Sequence, residues 1–213
     1  MRYDILKYKH IIWDFNGTLL DDIDKAVDTM NILLERRKMH RITRDSYLEL
    51  FDFPVIDYYR LLGFDLGAES FSDIAKEFID IYFKDGYSCF LQDGALEILD
   101  MISQMDMTQS ILSASYKDHL EEYLKILDIK KYFMLLNGQD DIHGSSKENK
   151  GREHIRMLDM SPKDVIYIGD TVHDLDVANS IRCDHLLVAN GHHKKSRLLE
   201  ATDRVIDSLM DLL

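Results

Sequence analysis

The apolar positions of this chain follow two periods, and the change between them divides it. Residues 10–14 run apolar from His10 to Trp13, reach an acid at Asp14 and stop at the turn Asn16-Gly17-Thr18. A short apolar run closed by a turn signal predicts a buried strand ending in a tight loop. From there to about residue 90 the period is helical. Val27, Met30, Leu33 and Leu34 make a stripe, with Asp24, Lys25, Asp28, Glu35 and Arg36 on the other face. Thr43 through Ser46 predicts a helix start ahead of Tyr47, Leu48 and Leu50. Pro54 and Gly63 bracket a short helix, and Ser70 caps one carrying Phe71, Ile74, Ala75, Phe78 and Tyr82. Residues 22–90 therefore predict helices with no strand pattern.

Past Asp93 short apolar runs alternate with helical stripes. Strands are predicted over 110–112, extending to Ser115, and over 133–136, 165–168 and 185–188. The intervening helices carry Leu96, Leu99 and Ile102; Leu120, Tyr123, Leu124 and Leu127; Ile155 and Leu158; residues 175–181; and a final helix spans about 207–213. Such alternation predicts right-handed crossovers and a parallel sheet with helices on both faces. The first strand belongs to this half, so the helical block is an insertion. The boundaries are residues 1–20 and 91–213 for the α/β core, and 21–90 for the inserted all-helical domain.

Composition narrows the function classes. At 213 residues, 46% apolar and 31% charged, the chain is long enough for one core and a smaller insert. With no run of ~18 apolar residues, no membrane span is expected. The first residues lack the apolar region and cleavage site of a signal peptide. Cys89 and Cys183 are too few and too far apart for a disulfide framework or a metal site, and read as buried thiols of a reducing compartment, hence the cytoplasm. A net charge of -13 argues against a nucleic-acid partner. A phosphate-binding site in such a chain calls for a divalent cation and local positive groups.

The candidate chemistry sits at strand ends, where open parallel sheets bind ligands. Asp14 ends the first strand and Ser113 lies in the hydroxyl-rich end of the second. Lys147 begins a helix, with Lys150-Gly151 as a rival start. Gly169-Asp170 ends a further strand, and Asp174 lies one helical turn on. Aspartate, serine, lysine and an aspartate pair, in that order, resemble the haloacid dehalogenase superfamily, most of whose members are phosphatases. Its motifs are DxDx[TV], a Ser or Thr, a Lys, and GDxxxD. They match here as Asp14-Phe15-Asn16-Gly17-Thr18, Ser113, Lys147, and Gly169-Asp170 through Asp174. The match spans nearly the whole chain and resembles the phosphoglycolate phosphatase branch with a helical cap of the C1 type.

The resemblance implies a Rossmann-like core with an inserted helical cap, and a Mg²⁺-dependent phosphatase acting on a small phosphorylated metabolite. Asp14 is then the nucleophile that forms an aspartyl-phosphate. Asp14, the backbone carbonyl of Asn16, and Asp170 hold Mg²⁺, with Asp174 a direct ligand or joined through water. Ser113 and Lys147 contact the transferring phosphoryl group, and Gly17 and Thr18 supply backbone N–H groups to it. One position departs from the pattern. The family's second aspartate, the acid and base of the reaction, is Asn16 here, and an amide has no proton to exchange near neutral pH. That leaves three readings: a substrate with a good leaving group, a proton from elsewhere such as His192, His193 or a cap residue, or a catalytically weak phosphate-ligand binder. Substrate and oligomeric state are not legible.

Overall fold

The computed structural model describes residues 4–139 and 147–213, which form two compact units, Met1–Asp21 with Phe90–Leu213, and Asp22–Cys89. The larger unit is a six-stranded parallel sheet in the order β5-β4-β1-β6-β7-β8. Its strands are β1 (His10–Trp13), β4 (Thr108–Tyr116), β5 (Leu135–Gln139), β6 (Val165–Gly169), β7 (Asp184–Val188) and β8 (Val205–Ile206). Every residue of β1 and β6 is buried, as strands covered on both faces must be. The covering helices are α5 (Ala95–Ser103), α6 (Lys117–Ile126), α7 (Lys147–Leu158), α8 (Val172–Ile181) and α9 (Lys195–Ala201).

The strand order places the site. From β1 the sheet grows outward through β4 and β5, then the chain returns to the other side of β1 and grows through β6, β7 and β8. The crevice beyond the carboxyl ends of β1, β4 and β6 is therefore a topological switch point, where such sheets bind ligands. The register sets Trp13 beside Ile111 on one side and Ile168 on the other, so Asp14, Ser113 and Asp170 emerge on one rim.

The smaller unit is helical: α1 (Ile23–Arg36), α2 (Arg44–Leu50), α3 (Val55–Leu61) and α4 (Phe71–Tyr82). Its core combines the α1 stripe of Val27, Met30, Leu33 and Leu34 with Tyr47, Tyr58, Tyr59, Phe64 and Ile74. The expected starts are built as caps. Thr43 accepts from the Ser46 amide in a reciprocal capping box, and Ser70 accepts from the Asp73 amide. Both cysteines are buried free thiols. Among the described residues no helix is long and apolar enough to cross a membrane.

The structure departs from the sequence expectations in three places. A two-stranded antiparallel ribbon, β2 (Leu20–Asp21) with β3 (Phe90–Leu91), pairs residues seventy positions apart and is too short to leave a period. The hydroxyl end of the second strand remains extended to Tyr116, because β5 continues to pair with it as far as Gln139. The final helix shrinks to a 3-10 turn over Leu209–Leu212, preceded by β8 and α9, whose short stripes the expectation had not separated.

Candidate active site

Asp14 leaves β1 with its amide bonded to the Ile168 carbonyl at 2.8 Å, which fixes it against β6. Its side chain is almost fully buried. Lys147, at the first turn of α7, donates to Asp14 Oδ1 at 2.5 Å and to Asp174 Oδ1 at 2.6 Å. Of the two lysines considered from sequence, Lys147 is the one whose ammonium sits on Asp14.

Asp174 carries two roles at once. Its Oδ2 accepts from the Thr171 amide at 2.9 Å, the Thr171 hydroxyl at 2.7 Å and the Asp170 amide at 3.1 Å, closing the capping box of α8. Its Oδ1 takes the lysine and the Tyr167 hydroxyl, the latter at 3.2 Å. With both oxygens engaged, Asp174 orients Lys147 and the start of α8. That geometry suits a metal contact through water better than a direct bond.

Asp170 is fully buried and held on both sides. The Thr18 hydroxyl donates to its Oδ1 and the His192 amide to its Oδ2, each at 2.6 Å. The glycines here make room. Gly17 has φ +76°, and a Cβ on it would collide with the Asp170 carboxylate, as would one on Gly191. The Gly17 amide donates to the Leu20 carbonyl at 2.9 Å and its carbonyl accepts from Gln92 at 3.1 Å. Gly17 thus shapes the loop rather than offering an N–H to phosphate, and the Thr18 hydroxyl clamps a carboxylate.

Ser113 lies at the same rim, nearly fully buried, its hydroxyl accepting the Ser115 amide at 3.0 Å. Ser115 is a residue the sequence reading passed over. Its hydroxyl donates to Asn16 Oδ1 at 2.5 Å. The signal was the spacing Ser113-Ala114-Ser115, which puts both hydroxyls on one face of a strand. The histidines considered as proton donors adjoin Asp170 and the start of α8. His193 Nδ1 accepts the Val172 amide at 3.1 Å, and the His192 ring lies against Gly17.

The electrostatics follow from burial. Burial and the neighbouring Asp174 and Asp170 push the Asp14 carboxyl well above its ordinary range, against the pull of Lys147. Burial likewise raises Asp170 to about 6. Burial would raise Asp174 too, but Lys147 and Thr171 outweigh it and hold the group at about 2. For Lys147 burial opposes the charge, and the two carboxylates overcome it, so the ammonium stays protonated. The oxygens of Asp14, Asp170 and Asp174 lie within 4.8 Å of one another. Among the described residues, three buried carboxyl groups meet one ammonium, and a hard divalent cation is the group that fits such a donor set.

Comparison with known proteins agrees with this geometry. Residues 11–188 match the family model of haloacid dehalogenase-like hydrolases. A pyrophosphatase PpaX from Listeria monocytogenes is 22% identical over 178 residues, covering 82% of this chain and 80% of the relative. A phosphoglycolate phosphatase from Salmonella choleraesuis is 23% identical over 153 residues, 70% of this chain and 61% of the relative. Among solved structures, the haloacid dehalogenase-like family protein SP0104 from Streptococcus pneumoniae superposes with a TM-score of 0.85 at 16% identity, over 97% of each chain. The match to the family model takes in Asp14, Ser113, Lys147 and the Asp170–Asp174 pair, and on that ground the chain belongs to the haloacid dehalogenase-like hydrolases.

Proposed function

We propose that the chain is a Mg²⁺-dependent phosphatase that hydrolyses a small phosphorylated metabolite through a covalent phosphoryl-Asp14 enzyme. The observation that carries this is the meeting of Asp14, Lys147 and Asp170 at the carboxyl end of β1, with Lys147 bridging Asp14 and Asp174. A buried carboxylate held against an ammonium is placed to attack phosphorus, because the ammonium, and a cation bound beside it, would oppose the burial and the two neighbouring acids that raise its pKa.

In this reading Asp14, Asp170 and the backbone carbonyl of Asn16 would hold Mg²⁺, with Asp174 reached through water. Bound there, the ion would supply a hard Lewis acid for the phosphoryl oxygens. Asp14 attacks, Lys147 offsets charge on the nucleophile and the phosphoryl group, and Ser113 hydrogen-bonds a phosphoryl oxygen. Thr18 and the His192 amide keep Asp170 turned toward Asp14. The curated relatives named pyrophosphatase and phosphoglycolate phosphatase support phosphate chemistry. The buried thiols of Cys89 and Cys183 support a reducing, cytoplasmic setting.

The test is phosphate release from a panel of small phosphorylated metabolites, with Mg²⁺ and with EDTA, for the native protein and Asp14→Asn. Release that needs both the metal and Asp14 upholds the reading; release unaffected by either removes it. Asn16 favours a second reading, a phosphate-ligand binder with feeble turnover. Stabilisation by phosphorylated ligands without release from any of them would select it.

A further inference from the structure

Asn16 lies two residues past the nucleophile, and its surroundings fix what it can offer. Its Oδ1 accepts the Ser115 hydroxyl at 2.5 Å, and Ser115 is itself anchored by its amide on Ser113 Oγ at 3.0 Å. The end of β4 thus sorts the amide, with the oxygen toward β4 and Nδ2 as its donor. An amide NH₂ can donate hydrogen bonds but gives up no proton near neutral pH, and its oxygen is too weak a base to take one from water.

Among the described residues of the α/β unit, the titratable groups beside Asp14 make bonds of their own. Lys147 donates to both Asp14 and Asp174, and the Tyr167 hydroxyl lies 3.2 Å from Asp174 Oδ1 and from the Leu112 carbonyl. His193 Nδ1 accepts the Val172 amide at the start of α8, and the His192 ring packs against Gly17 while its amide holds Asp170. Asn16 faces the β4 side.

This has a different consequence for each half of the reaction. In the first half an Asp14 oxygen bonds to phosphorus while the bond from phosphorus to the leaving oxygen breaks, and that oxygen departs with the electron pair. A carboxylate or a phosphate can leave unprotonated; an alkoxide cannot. In the second half a water oxygen bonds to phosphorus, the bond to Asp14 breaks, Asp14 is regenerated as carboxylate, and the proton of water passes to solvent or to the released phosphate. No choice of substrate gives the second half the base that Asn16 cannot be. Resting on the phosphatase reading above, we infer that the site takes activated phosphoryl donors, acyl phosphates or phosphoanhydrides, and that phosphorylated enzyme accumulates during turnover because its hydrolysis is the slow half.

The test is pre-steady-state and steady-state kinetics at saturating Mg²⁺ with acetyl phosphate, inorganic pyrophosphate, p-nitrophenyl phosphate and an unactivated alkyl phosphate. The activated donors should exceed the alkyl phosphate by ~10²-fold or more in kcat/KM, the order of what acid–base catalysis supplies. Donors that react should share one kcat, and p-nitrophenol should appear in a burst close to one equivalent per enzyme. The acetyl phosphate and pyrophosphate arms decide between the two sources of activated phosphate by their kcat/KM. Asn16→Asp should remove the burst, raise the shared kcat by ~10-fold or more, and raise the alkyl rate most. Ser115→Ala, which releases the amide but adds no acid, should keep both the burst and the donor preference. Comparable kcat/KM on alkyl and activated donors, or steady state without a burst, overturns this inference while leaving the phosphatase reading intact. Failure of every donor to show Asp14-dependent release would instead overturn the phosphatase reading itself.

Discussion

Among the described residues Lys147 is the cation that bonds both Asp14 and Asp174, and replacing it with methionine removes the charge while keeping most of the side chain's bulk. At 2.5 and 2.6 Å the two contacts are each worth about 6 kcal/mol of gross attraction at an effective dielectric of ~20. Desolvating the ammonium takes back several kcal/mol of this, so the net cost of breaking the network is about 3–5 kcal/mol. For a chain of this size that lowers the melting temperature of the α/β unit by roughly 6–20 °C. The measurement is thermal denaturation of Lys147→Met and the native protein in EDTA at pH 7, repeated at lower pH and with Mg²⁺. Asp14 has a folded-state pKa above its ordinary value of 3.8, so its favourable proton uptake is fully present below that value and is lost as pH rises through the folded value. Without Lys147 that folded value moves higher still, and the gap between variant and native protein narrows on acidification. Mg²⁺ should narrow it too, by about 1.4 kcal/mol for each tenfold by which the variant, freed of the competing ammonium, binds the ion more tightly than the native protein. Equal melting temperatures at pH 7, or a gap indifferent to both pH and metal, would refute the electrostatic account of the site.

Asp170→Ala should raise the Mg²⁺ concentration for half-maximal rate by ~10-fold or more, measured by metal titration of turnover; an unchanged titration would remove Asp170 from the metal set. A second buried group also makes a pH prediction. His10 bonds Ser110 Oγ at 2.7 Å, and the same oxygen bonds His154 at 2.7 Å, deep under the sheet. Burial lowers the two imidazoles to about 4 and about 3. Both are neutral in the fold but titrate at 6.5 when unfolded, so their stability contribution is present above 6.5 and is lost as pH falls below it, at about 1.4 kcal/mol per pH unit each. His154→Gln should flatten the stability curve between pH 6 and 4 by about 1 kcal/mol per unit; parallel denaturation curves would count against it.

The elements legible in the sequence were those whose signal is local. The run from His10 to Asp14 and the run ending at Asp170 each carry apolar burial and a terminal acid in a few consecutive residues, so strand and site were readable together. The α1 stripe and the Thr43 and Ser70 caps are likewise local. What escaped depends on partners far along the chain. The β2–β3 ribbon exists only because Leu20 meets Leu91. Ser115 gains meaning only when β4 lies beside β1 and its hydroxyl reaches Asn16. Gly17 and Thr18 are expected from sequence to offer backbone N–H groups to phosphate; the Gly17 amide is bonded to the Leu20 carbonyl, and the Thr18 hydroxyl has the further task of holding Asp170, 152 residues away. Asp174 is legible as a metal acid, direct or through water; its two oxygens also let it cap α8 and hold Lys147 together.

The most direct test of the central claim asks whether phosphate becomes covalently attached to Asp14. The native protein is mixed with Mg²⁺ and acetyl phosphate, quenched in acid during turnover, and reduced with borohydride, which converts a phosphorylated aspartate to homoserine. Peptide mass spectrometry then locates the change. The account predicts homoserine at Asp14, present only when donor and Mg²⁺ are both supplied, and none in Asp14→Asn. Turnover without homoserine at Asp14, or with homoserine at another aspartate, would contradict it.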